Sequence, residues 1–306
     1  MLQRAAMLAD GVSIGYPRTH AARGERIENP NMSTCYGLVY PLWAGELGQD
    51  DLLDRALGEV GVDFVTVPIA TGALLRIAPW RPSPPARFRT RGGWHIPLRG
   101  AAQAATLKRI PQAGWFGKRD PLRPVLDQLA ARRLPAIARI DLRAAAVLRE
   151  QGDHLSMVNA WGESEPGCGA CVLNPELREL LHAAVAMAQD AGFDACEIVD
   201  WCVDCATTRA SASRPLSWNP TVRALLDVCF CAACRQTADE EGIDADQAAR
   251  SVRVHSRRAL LDPTTSLAAD PGADELLARY REARGAKCDE WLARFTQRHT
   301  SGTIFH

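Results

Sequence analysis

Cysteine is the residue type whose spacing in this chain most plainly points to chemistry. Cys229-Phe-Cys231-Ala-Ala-Cys234 spells C-x-C-x-x-C, and upstream stand the pairs Cys168-x-x-Cys171 and Cys202-x-x-Cys205. Thiolates two or three residues apart in a turn can face one soft cation, and a structural zinc site takes four such ligands. One pair alone would read as ordinary buried cysteine, a common core residue. Three clusters within about 70 residues is the spacing of a metal site. The expected ligands are Cys229, Cys231 and Cys234, with the fourth from Cys202/Cys205 or Cys168/Cys171. Zinc is the expected ion, and an iron–sulfur cluster is the alternative, since four cysteines serve both. Cys35, Cys196 and Cys288 have no neighbour at ligand spacing and read as structural.

Carboxylates form the second group. The run Asp194-Ala-Cys-Glu197-Ile-Val-Asp200-Trp201 puts acids at the end of an apolar, strand-like segment. Glu197 lies between Cys196 and Ile198, and burial there favours the protonated form that a general acid needs at neutral pH. Strand alternation turns Asp200 to the face opposite Glu197, so Asp141 and Glu163 are the better candidates for a second acid. The competing role for Glu197 is a structural ion pair with an arginine on a neighbouring strand, for which Arg139 is placed. Trp43, Asn159, Trp161 and Trp201 also follow strand-like runs; tryptophan offers a flat apolar face to a sugar ring and an N–H to its hydroxyls. Any one of these tryptophans could equally be ordinary packing. His95 and His154 read as loop histidines.

These groups must be held by elements, and the sequence supplies them at regular spacing. Residues 36–43 and 62–69 read as strands, with a helix carrying Leu52, Leu53, Leu57 and Val60 between them. Asp120-Pro121 opens a helix, and residues 134–142 read as the next strand. Residues 155–160 suggest a shorter strand. Asn174-Pro175 starts a helix with Leu177, Leu180, Leu181, Ala184, Val185 and Ala188 as its buried stripe, and Gly192 stops it. Residues 193–201 follow as a strand. Asn219-Pro220 begins a helix that runs, with a break at Cys229, to Glu241. Residues 246–261 and 274–298 are helical, and residues 303–305 suit a last strand. Residues 78–97, with five prolines, read as an irregular insertion.

Strand, helix and strand in this order build a parallel α/β sheet. The expected fold is a TIM-barrel-like (β/α) barrel in one domain, residues 32–306, with a cysteine-rich metal-binding insertion around 168–234. Residues 1–31 read as a flexible arm. Five or six core strands can be found where a full barrel has eight. The barrel is therefore expected to be incomplete or completed by a partner subunit, which leaves a homo-oligomer open.

With 36 basic and 36 acidic residues the net charge is zero, which argues against nucleic acid as a main partner. No segment reaches the roughly 18 consecutive apolar residues of a membrane span, and residues 1–31 lack the apolar stretch of a secretory signal. A cytoplasmic protein is expected, where ten cysteines are better suited to metal than to disulfides.

Between residues 174 and 244 the chain resembles uncharacterised glycosidase-like TIM-barrel proteins carrying a C-F-C-x-x-C motif. The resemblance runs through Asn174-Pro-Glu-Leu-Arg178, Gly192-Phe-Asp194, Glu197, Cys229-Phe-Cys231-Ala-Ala-Cys234 and Gly242-Ile-Asp244, with Asp120-Pro121 and residues 134–142 as the preceding unit. It implies a TIM barrel, carbohydrate-related activity and a strand-end site position for Glu197. The extra pairs Cys168/Cys171 and Cys202/Cys205 depart from that pattern. The leading expectation is thus a glycoside hydrolase-like enzyme that acts on a carbohydrate or glycosylated small molecule through two carboxylates. The alternatives are a zinc-dependent enzyme of another class and a non-catalytic assembly protein on a barrel scaffold.

Overall fold

In a computed structural model the chain is described at residues 37–40, 42, 57, 61–72, 74–77, 87–90, 92–96, 112–113, 120–142, 155–164, 170–199, 225, 228–261, 275–299 and 303–305. The expected arm 1–31, the helix starting at Asn219, and Trp43, Cys168, Asp200, Trp201, Cys202 and Cys205 lie outside these residues.

The elements run in the order β1 (Gly37–Val39), β2 (Phe64–Thr71), β3 (Leu74–Ile77), β4 (Arg87–Thr90), β5 (Gly93–Trp94), α1 (Leu122–Ala131), β6 (Ala136–Asp141), α2 (Pro175–Ala191), β7 (Ala195–Val199), α3 (Ala232–Glu240), α4 (Ala245–Leu261), α5 (Glu275–Arg298) and β8 (Thr303–Phe305). The main sheet is ordered β1-β2-β6-β7-β8, every neighbouring pair on that path is parallel, and β5 pairs antiparallel with β2. The fold is mixed α/β with a parallel sheet, and five helices lie among the described residues.

Local sequence explains the elements. Asn174 caps α2 with its side-chain oxygen, which accepts from the Glu176 N–H at 2.9 Å. Pro175 occupies the first turn, and Gly192 ends the helix at φ +100°, a conformation that favours glycine. The buried stripe of α2 is the expected one with Met187 added. Asp194 then ties two strand starts together: its carboxylate accepts from the Ala136 N–H at 2.8 Å, and its own N–H donates to the Ala136 carbonyl at 2.9 Å.

The sheet has two chemically different faces. Pairing sets Val65 beside Ala136, Val67 beside Ala138, Ala138 beside Cys196 and Ile140 beside Ile198. All seven of these side chains are buried in the core that also takes the α1 and α2 stripes. The alternate residues Thr66, Arg139, Asp141 and Glu197 share the other face with the apolar Ile137 and Val199.

Two expectations are corrected. The proline-rich stretch 78–97 is more than an irregular insertion: part of it forms β4, which pairs antiparallel with β3, and the β5 strand on β2. Residues 155–160 make isolated bridges, Ser156 with Ala170 and Val158 with Ser164, and no strand of the sheet. The break expected at Cys229 is present: residues 228–231 are not helical, and α3 begins at Ala232 with Cys231 extended at its N-cap, ψ 168°.

Candidate metal centre and acidic sheet face

Two loops and one helix start bring four thiols together. Cys171 lies just before α2, while Cys229, Cys231 and Cys234 follow β7 in chain order, with Cys234 in the first turn of α3. Their sulfurs all lie within 4.8 Å of one another, and all four residues are buried. Cys171 and Cys234 are 3.5 Å apart at sulfur, and Cys231 and Cys234 are 3.7 Å apart. Four sulfurs so placed could bind one metal ion. All four are free thiols.

Polar groups are aimed at the sulfurs. Backbone N–H groups of Val158 and Cys231 donate to Cys229 Sγ at 3.4 and 3.5 Å. Arg284 Nε donates to Cys234 Sγ at 3.2 Å. Hydrogen bonds from the Cys171, Cys229 and Cys231 thiols, together with Arg284, hold Cys234 well below the usual thiol range. The same bonds to the other thiols push Cys171 well up. The four thiols thus divide into hydrogen-bond donors and acceptors. Cys196 and Cys288 differ: burial pushes each up to about 12, the state of an inert core thiol.

The walls of the centre come from a helix stripe. Leu277, Tyr280, Arg284, Cys288, Trp291 and Phe295 recur at helical spacing along α5 and are buried. Tyr280 stacks on Phe230 with ring centroids 4.9 Å apart, and its hydroxyl donates to the Cys229 carbonyl at 2.8 Å. Arg284 was not among the residues marked by cysteine spacing. Its signal in the sequence is a cation at a core position of an otherwise apolar stripe.

Asn159, Trp161 and Glu163 belong to a turn beside this centre and not to a strand end. Asn159 Oδ1 accepts from the N–H groups of Trp161 and Glu163 at 2.9 and 3.0 Å, so it closes the turn. The Phe230 N–H reaches the carbonyl of Val158, the residue before this turn, at 2.7 Å. Glu163 is exposed. Trp161 is 47% exposed and borders a hollow with Arg253, Val254 and Arg257.

The other expected acids lie on the polar face of the sheet. Glu197 is 2% exposed and Asp141 5% exposed. Arg139 is the register partner of Glu197, with Nη1 3.7 Å from Glu197 Oε2. Asp141 is two residues further along the same face, at the C-terminal end of β6. His95, read from sequence as a loop histidine, is fully buried beside the end of β2. Its Nδ1 bonds the Pro68 carbonyl at 3.2 Å and its Nε2 the Thr71 hydroxyl at 3.0 Å.

No helix among the described residues is long and apolar enough to cross a membrane. No family pattern matches this chain, and no characterised protein or solved structure was found similar to it.

Proposed function

We propose that this chain is a zinc protein of barrel type, with a closed structural Zn(Cys)₄ centre and a separate hydrolase site of the glycosidase-like class on the polar face of its sheet. The observation that carries the metal half is the sulfur geometry. A tetrahedral ion with bonds of about 2.3 Å to sulfur sets the thiolates roughly 3.8 Å apart. The separations of 3.5 and 3.7 Å fit that edge. An iron–sulfur cluster must fit several iron and sulfide atoms between its thiolates, and sulfurs within 4.8 Å leave room for a single ion. Four thiolates fill the shell and leave no position for water, which favours a structural ion over a catalytic one.

The hydrolase half rests on the two buried acids of adjacent parallel strands. Two residues along a strand and one strand across put the Asp141 and Glu197 Cα atoms about 8 Å apart. Glycosidase carboxyl groups stand about 5–9.5 Å apart, a separation within reach of side chains on Cα atoms so spaced. In a barrel the polar face would line the interior, and Asp141 would stand at the C-terminal rim where such enzymes do their chemistry. Glu197 serves as proton donor and Asp141 as base or nucleophile in this reading.

Two measurements test the proposal. Elemental analysis of protein purified without chelator should give about one zinc per chain; metal-free protein with reactive native thiols would end the metal half. A screen of aryl glycosides and oligosaccharides should yield a turnover that Glu197→Gln and Asp141→Asn both abolish. Hydrolysis untouched by either change would move the site elsewhere.

A further inference from the structure

We infer that Arg284 is the charge-balancing partner of the cysteine centre and sets how tightly it holds a divalent metal. The inference rests on the metal reading above and adds a residue to it. Four thiolates around one divalent ion carry two excess negative charges in a site whose ligands are almost fully buried. Leaving such charge in a low-dielectric interior is costly unless a counter-charge and hydrogen bonds meet it. Arg284 supplies both: it is 0% exposed, and its Nε reaches Cys234 Sγ at 3.2 Å.

Its setting holds the guanidinium toward the sulfurs. Arg284 lies one turn along α5 from Tyr280, with its guanidinium carbon 5.6 Å from the centre of the Tyr280 ring. Tyr280 is itself fixed to the cysteine segment through the Cys229 carbonyl. The N–H donors are shared out between the ligands. Cys229 takes two backbone donors, and Cys234 takes the charged one. A charged donor draws electron density from the sulfur it bonds and lowers the net charge at the centre. The relation is reciprocal. A buried guanidinium is stabilised by an anion, and the thiolates of a loaded centre would supply one.

With metal bound, Arg284 stabilises the centre. Partners of metal ligands are worth about 10- to 100-fold in metal affinity.

The test uses the full chain, reduced and stripped of metal, titrated with cobalt(II) in competition with a chromophoric chelator. Wild type should show the visible absorption of a tetrahedral four-thiolate ion. Arg284→Gln and Arg284→Leu should lose 10- to 100-fold in affinity and shift the sulfur-to-cobalt charge-transfer band, and Arg284→Lys should recover part of both. If Leu fails to fold, the Gln and Lys affinities and band positions carry the test. Equal affinities and unchanged spectra in a wild type that does bind cobalt would overturn the role of Arg284 alone. A wild type that takes up neither cobalt nor zinc would overturn the metal reading and this inference together.

Discussion

Arg139 and Glu197 stand opposite each other on adjacent parallel strands, with Nη1 and Oε2 3.7 Å apart. That is a charge contact rather than a close hydrogen bond. The Glu197 side chain is 3% exposed and that of Arg139 is 24% exposed, so water reaches one partner and hardly the other. Glu197 is therefore both the acid proposed for proton donation and half of an ion pair, and the two roles predict different outcomes for one substitution. Glu197→Gln should lower glycoside turnover about 10²–10⁴-fold. Breaking a fully buried pair costs about 3–5 kcal/mol. Because Arg139 remains partly hydrated, the stability loss should fall below that range. Urea unfolding and turnover measured on the same preparation check this. Full activity with a loss inside that range would assign Glu197 to structure.

The cysteine centre predicts a sharp contrast among buried thiols. Cys171→Ala should reduce metal from about one ion per chain to a small residue, because a closed site loses a quarter of its ligands and gains a gap. Cys288→Ala, in the same core but outside the four-sulfur group, should leave metal content unchanged. Hydrogen exchange should show the loss as faster opening of α3, whose first turn carries Cys234. Metal retained by the Cys171 variant would mean that another residue supplies the ligand.

The elements that were legible in the sequence are those with local signals. The α2 helix announced itself by Asn174, Pro175, its apolar stripe and Gly192, and β6 and β7 by short β-type apolar runs. The C-x-C-x-x-C motif was legible for the same reason: its spacing is local. That Cys171 joins it follows from topology, since loops after neighbouring parallel strands share one edge of the sheet. Arg284 and His95 were not legible as site residues, because each acquires its meaning from residues distant in sequence, Cys234 for one and Thr71 for the other. Residues 155–160 differ from a strand for a related reason. Their alternating pattern suits a strand, but their backbone is engaged by Phe230 and by short bridges instead of a ladder.

His95 should make the fold acid-sensitive. Burial lowers its pKa to about 4, against a smaller opposing effect of the bond to the Pro68 carbonyl. The unfolded chain binds the proton first, near pH 6.5, so stability is complete above that value and falls as pH drops toward 4. A shift of this size corresponds to about 3 kcal/mol, lost across that window and flat below it. His95→Asn should remove this part of the pH dependence while costing stability at neutral pH. Urea midpoints of both proteins at pH 7, 5.5 and 4 provide the check, and identical slopes would show that His95 is solvated in the native protein. His182 and His299, bonded ring to ring at 2.7 Å, are shifted in the same direction but are less buried than His95 and should contribute less.

Asn174 couples α2 to Cys171, the proposed metal ligand that lies farthest in sequence from the others. Its side chain caps α2 through the Glu176 N–H, its carbonyl accepts from the Arg178 N–H at 3.1 Å, and its own N–H donates to the Cys171 carbonyl at 2.9 Å. The cap thus fixes both the first turn of the helix and the backbone three residues upstream. Asn174→Ala removes only the side-chain bond and should cost about 1 kcal/mol, the usual worth of an N-cap. Asn174→Asp keeps an acceptor and adds a negative charge at the positive end of the helix, so it should match or slightly exceed wild type. Because the Cys171 loop leans on this turn, the Ala variant should also release metal to a chelator faster than wild type, whereas the Asp variant should not. Chelator kinetics beside urea unfolding separate the two effects. A destabilised Ala variant with an unchanged release rate would mean that Cys171 is held by the centre itself and not by the helix that follows it.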